Sequence, residues 1–121
     1  FSMAKHNETG LKGEQIAVNY LQKIGYNILC CNWRFGRKEV DCIAQKEEMV
    51  VFVEVKTRRS FDFGYPEEAV HPLKQKHLRQ AARAFMEQYA PGSAPRFDII
   101  SIILTPDDQV KELVHIEDAF Y

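Results

Sequence analysis

The chain has 121 residues, 45% of them apolar, and a formal charge of −1. That length suits one domain burying roughly two thirds of the surface its unfolded form exposes, and the near-zero charge withholds the overall basic signature of many nucleic-acid binders. No apolar run approaches the roughly 18 residues of a membrane helix, and the N-terminus lacks a basic-then-apolar secretory layout, so a cytoplasmic protein with no membrane partner is expected. Phe1 and Ser2 precede the first methionine, Met3, and read as expression remnants ahead of a single domain, 3–121.

Ile16, Ala17, Tyr20, Leu21 and Ile24 recur at helical spacing, and Gly25 stands where a left-handed cap belongs, which predicts a first helix over 11–24. An apolar and aromatic strand follows over 26–33, then a polar turn at 34–38 and a second strand over 39–44. The β-branched run Met49 to Lys56 is the clearest strand in the chain, and Gln45 to Glu48 makes it a hairpin with the strand before. The stretch 57–70, with Gly64 and Pro66, reads as a functional loop. Pro72 suits the first turn of a second helix whose apolar residues keep helical period from Leu73 to Tyr89, until Pro91 and Gly92 stop it. Arg96 to Leu104 is an apolar strand, and a weaker one is expected near 113–116. The fold class is therefore α/β, in the order α-β-β-β-α-β(-β).

Cys30, Cys31 and Cys42 contain no C-x-x-C pair and are expected to be small buried hydrophobes. His6, His71, His77 and His115 lack the spacing of a helical zinc pair and are expected to be solvated or capping. From Asp107 onward five acids (Asp107, Asp108, Glu112, Glu117, Asp118) face Lys111 alone, a local −4 that leaves +3 on the first 106 residues.

The hairpin carries the chemistry. With its turn centred between Glu47 and Glu48, paired residue numbers sum to 95, which sets Asp41 across from Glu54 and Glu39 across from Lys56, all four on one face. Opposed carboxylates about 5 Å apart repel by about 3 kcal/mol at an effective dielectric of about 20. Lys56 offsets part of this, and a divalent cation bridging the two would turn repulsion into binding. Oxygen ligands favour Mg²⁺ or Mn²⁺, a choice suited to phosphodiester hydrolysis. Lys56 would either orient the attacking water or stabilise charge on the phosphate. Glu14 borders the apolar stripe of the first helix, which could bring it towards the metal. The rival is a surface hairpin in which Glu39 and Lys56 form an ion pair worth at most about 1 kcal/mol, with Asp41 and Glu54 solvated. Apolar Val51, Val53 and Val55 on one face, with Phe52 and Ile43 on the other, argue for a buried strand instead.

E-V-D (39 to 41), V-F-V-E-V-K-T-R (51 to 58) and Gly13-Glu14 resemble the bacterial YraN-like family of the PD-(D/E)XK nuclease superfamily, similar to archaeal Holliday junction resolvases. The resemblance spans nearly the whole chain and includes A-x-x-Y-L (Ala17 to Leu21), the loop Phe63 to Val70, the K-x-x-L pattern near Lys74 and R-F-D (Arg96 to Asp98). It implies a restriction-endonuclease-like mixed sheet flanked by helices, with Asp41, Glu54, Lys56, Glu14 and Glu39 as catalytic residues. Asp41, Glu54 and the backbone carbonyl of Val55 would hold the metal. Two departures stand out: Val40 replaces the namesake proline, and Lys38 stands where relatives often have glycine. A homodimer is implied by the resemblance alone.

Arg34, Arg37, Arg58, Arg59, Lys74, Lys76, Arg79 and Arg83 flank the hairpin or lie on the second helix and are candidates for phosphate contacts, with Trp33, Phe61, Phe63 and Tyr65 as aromatic neighbours. Arg34, Arg58, Arg59, Lys74 and Lys76 form the nucleic-acid set. The expected function is a metal-dependent endonuclease acting on DNA rather than RNA, branched DNA included. A non-catalytic nucleic-acid-binding or scaffold module is the alternative, and an interaction domain built on the acidic C-terminal segment a third reading.

Overall fold

The computed structural model describes residues 7–59 and 70–120, so the loop expected to be functional (57–70), with Phe61, Phe63 and Tyr65, lies mostly outside the described residues. Helix α1 spans Asn7–Lys23, starting earlier than expected because Asn7 to Gly10 form a polar first turn that carries no apolar period. Ala17 and Leu21 are its buried apolar side chains. Gly25 (φ 100°) ends it: its N–H donates to Gln22 O and that of Tyr26 to Leu21 O, the reversal that favours glycine. Strands β1 (Asn27–Phe35), β2 (Lys38–Lys46) and β3 (Met49–Arg59) follow. Helix α2 (Pro72–Tyr89) opens with His71 as N-cap, its Nδ1 accepting from Leu73 N–H, so this histidine has the expected capping role.

Strands β4 (Arg96–Leu104) and β5 (Val110–Phe120) complete a sheet of order β1-β2-β3-β4-β5, with β3 and β4 parallel and the other neighbours antiparallel. The mixed α/β layout is the expected one. β5 is much longer than expected, because an edge strand with one face exposed can carry Lys111, Glu112, Glu117 and Asp118 without an apolar period.

Each helix covers one face of the sheet. Ala17 and Leu21 of α1 pack with Cys42, Ala44, Val51, Val53, Ile100, Ile102 and Leu104. Leu78, Ala81, Ala82 and Met86 of α2 pack with Val40, Ile43, Val50, Phe52 and Phe97. Both faces of β3 are thus apolar around the acidic residues, and the solvated surface hairpin is excluded: Glu54 is 4% exposed.

The acidic C-terminal segment is folded into the sheet. Asp107 and Asp108 belong to the β4–β5 turn, where Asp108 pairs with Arg59, while Glu117 lies 3.9 Å from Arg96. No helix among the described residues is long and apolar enough to cross a membrane.

Candidate metal centre

The register of the central hairpin is the one the turn dictates. Lys46 faces Met49 across a two-residue turn in which Glu47 has φ 56°, and the pairs run to Cys42 and Val53, each summing to 95. There the ladder stops, one pair short of Asp41 and Glu54. The N–H of Val55 donates instead to Asp41 Oδ2 at 2.9 Å, so the carboxylate fills a fork where β2 and β3 separate. In an antiparallel strand one residue's N–H and C=O point to the same side, so the Val55 carbonyl is directed into that fork as well.

The fork corrects two expectations. Glu39 does not oppose Lys56; its ladder partner is Arg34 on β1, and Lys56 Nζ lies 3.5 Å from Glu54 Oε2. Nor do the four residues share a face. Val40 and Ile43 both pack towards α2, so strict alternation fails between them, and Asp41 turns towards a cavity beneath α1. Asn32, between the ladder partners of Cys42 and Val40, has φ 54° and marks the irregularity on the neighbouring strand.

Glu54 follows Phe52 on the α2 side. Its Oε2 receives two cations, Lys56 and, at 3.6 Å, Lys74 from the first turn of α2. Lys74, expected to meet phosphate, is therefore also a neighbour of the Glu54 carboxylate. Glu54 Oε1 is buried without a hydrogen-bond partner.

Glu14 comes from the α1 side. It lines a cavity of about 160 Å³ with Leu11, Val18, Asn32, Asp41, Cys42 and Val55. Helix and strand approach so closely that a Cβ on Gly13 would overlap the Thr57 side chain, which explains the glycine next to Glu14. Burial raises the Glu14 carboxyl, a hydrogen bond from Asn32 partly offsets this, and Glu39 and Glu54 raise it further. Burial, then the Glu54 charge, pushes Asp41 up to about 8, with Val55 N–H and Lys74 opposing and Glu14 adding. Glu14 and Asp41 both hold a proton more tightly than a solvated carboxyl, because burial and neighbouring carboxylates disfavour their charged forms.

A hard divalent cation fits this donor set. Asp41 spends one oxygen on Val55, leaving Oδ1; Glu54 has an orphaned Oε1; the Val55 carbonyl faces the fork. Among the described residues no three His, Cys, Asp or Glu side chains converge on one metal position, so two carboxylates and a carbonyl would serve with water completing the shell. Mg²⁺ accepts such a shell, whereas structural zinc does not.

The basic residues divide. Arg34 and Lys76 are exposed, and Arg58 is half-buried beyond Lys56. Arg59 donates to Thr105 O and pairs with Asp108, tying β3 to the β4–β5 turn.

The sequence reading missed one polar centre. Asp98 is buried on the α1 face, bound by Arg96 at 2.8 and 2.9 Å, by His115 Nε2 at 2.7 Å and by the N–H of Asp118. Tyr20 OH reaches His115 Nδ1 at 2.9 Å, and Arg96 reaches Tyr26 OH at 2.7 Å. Burial alone raises the Asp98 carboxyl, but the bonds from His115, Arg96 and Asp118 outweigh it and hold the carboxyl below its usual range. His115 is thus neither solvated nor capping. A charged side chain inside the apolar strand Arg96 to Leu104 was the available signal, since such a charge needs partners. Of the cysteines only Cys42 is buried, its thiol pushed up to about 12 by burial and by Cys31; Cys31 itself is exposed.

A family model described as "Uncharacterised protein family UPF0102" matches residues 13–102, which include Glu14, Glu39, Asp41, Glu54, Lys56 and Lys74. The UPF0102 protein FP2501 of Flavobacterium psychrophilum is 44% identical over 119 residues, 98% of each chain. A UPF0102 protein of Bacteroides thetaiotaomicron is 45% identical over 98% of this chain and 97% of its own, and one of Caldicellulosiruptor saccharolyticus 44% identical over 93% and 97%.

Proposed function

The chain belongs to the uncharacterised protein family UPF0102, and we propose that it is a Mg²⁺- or Mn²⁺-dependent endonuclease that hydrolyses DNA phosphodiester bonds at Asp41, Glu54 and Lys56. The observation that carries this reading is the carboxylate pair at the fork, Asp41 half-buried and Glu54 buried, with Glu54 Oε1 left without a partner and two lysines on Oε2. Such a group is costly unless a cation completes it. The resemblance to PD-(D/E)XK nucleases supports the same roles, and with them branched DNA as a substrate, a homodimer and a cytoplasmic setting.

The ion, when bound, supplies charge neutralisation at the phosphate and activates water. Asp41 and Glu54 would hold it, with the Val55 carbonyl as a further donor from the fork. Lys56, 29% exposed beside Glu54, reaches the solvent where a phosphate would arrive and acts on the incoming water or on the developing charge. Glu14 shapes the proton affinity of Asp41 from the other side.

The test is cleavage of junction, flap, single-stranded and duplex DNA with either metal. Wild-type cutting that disappears in Asp41→Ala and Lys56→Ala supports the reading. Absence of cutting, or cutting that survives both changes, removes it. Salt-sensitive DNA binding that ignores metal would instead mark a non-catalytic module.

A further inference from the structure

On the α2 face an aromatic row runs from the interior to the surface. Phe52 meets Phe85 edge-on at 5.7 Å, Phe85 meets Trp33 edge-on at 5.3 Å, and Trp33 lies parallel to Phe35, 5° between planes at 6.3 Å. Phe35 ends the row and is 44% exposed. It sits at the tip of β1, opposite Lys38 across the turn containing Gly36 (φ 63°). Phe35 and Lys38 form one wall of an open groove of about 380 Å³; Gln80, Arg83, Ala84 and Glu87 of α2 form the other.

The chemistry of this groove is specific: a flat ring backed by Trp33, a cation on each wall and the Gln80 amide beside Arg83 on the α2 wall. An exposed aromatic face with flanking cations takes a nucleic-acid base whose own face is free, the cations meeting the adjoining phosphates. A duplex hides its base faces in the stack and cannot use Phe35. Glu87 repels phosphate, so the backbone would pass on the Lys38 and Arg83 side.

We propose that Phe35 is a stacking platform for an unpaired base, so that the substrate class is nucleic acid with a single-stranded segment lying along α2; this rests on the nuclease reading above. Arg83 is nine residues beyond Lys74 on the same helix, roughly 14 Å along its axis. The α2 wall of the groove thus lies about four stacked nucleotide steps beyond Lys74 at about 3.4 Å per step, and fewer in an extended strand.

Trp33 is the chain's only tryptophan and lies against Phe35, so its fluorescence reports on the platform directly. Titration in EDTA, where no cleavage occurs, would compare a short oligothymidylate, an abasic oligomer of equal length and a duplex. The expected result is saturable quenching by oligothymidylate alone, with affinity falling roughly five- to a hundredfold in Phe35→Ala and retained in Phe35→Tyr. Circular dichroism confirms that both variants fold. Equal response to the abasic oligomer or duplex overturns the proposal, as does an unchanged Phe35→Ala. So does a Phe35→Ala effect confined to sedimentation of the chain, which would make the patch a protein contact. Cleavage without quenching removes the platform and leaves the nuclease; quenching without cleavage does the reverse.

Discussion

Gly13 and Thr57 meet where α1 crosses β3: a methyl group at 13 would overlap Oγ1 of Thr57 and lie 2.8 Å from its Cβ and Cγ2. Gly13→Ala would ordinarily strengthen a helix by about 1 kcal/mol. Here it should destabilise by about 1–3 kcal/mol, because the helix must move off the sheet. It should also carry Glu14 away from Asp41. Adding Thr57→Gly should restore part of the loss in urea melts; a stabilised single variant would disprove the close contact.

Asp41→Asn should change the pH dependence of stability. The Asp41 carboxyl is raised in the folded state, so its stabilising effect is complete below the unfolded value of about 4 and is lost as pH rises through about 8. The amide has no such loss. Without metal the variant should gain on wild type as pH rises, and the advantage should vanish in acid. Thermal melts across that range check it; parallel curves would contradict it.

Divalent metal should stabilise wild type and leave Asp41→Asn and Glu54→Gln almost unmoved. At a hundredfold excess of ion over its Kd the gain is about 2.7 kcal/mol. Equal stabilisation of all three proteins would place the ion elsewhere.

Lys74→Ala should separate metal binding from catalysis. Lys74 and Lys56 share Glu54 Oε2, so removing one should tighten Mg²⁺ binding in calorimetry while weakening DNA affinity. Weaker binding of both would mean that Lys74 only orients the carboxylate.

Asp98→Asn should cost about 3–5 kcal/mol, the usual loss when one member of a buried charged set is removed. The wild-type contribution has the opposite pH sense to that of Asp41. The carboxyl is lowered, so stability is full above the unfolded value of about 4 and is lost as pH falls through the folded one. Acid unfolding of the two proteins should therefore converge.

The hairpin register was legible because a two-residue turn and a two-residue period fix it; Cys42 and Val53 face each other as that arithmetic requires. Where the ladder ends was not legible, since nothing in alternation says that Val55 N–H will choose the Asp41 side chain over a β2 carbonyl. Glu14 was placed correctly at the edge of the apolar stripe, yet Gly13 gave no hint of Thr57, because close approach depends on two distant segments. The same distance concealed Lys74 beside Glu54 and His115 beside Asp98: polar residues have no period, and their partners emerge only after folding.

Tyr20 and His115 join residues 95 apart, the first helix to the fifth strand. During synthesis α1 emerges first, with half of this bond long before the other half exists. Loop closure over such a span is slow and its entropy is recovered only at the end. α1, and Glu14 with it, is therefore joined to the far edge of the sheet only once the fifth strand has been made.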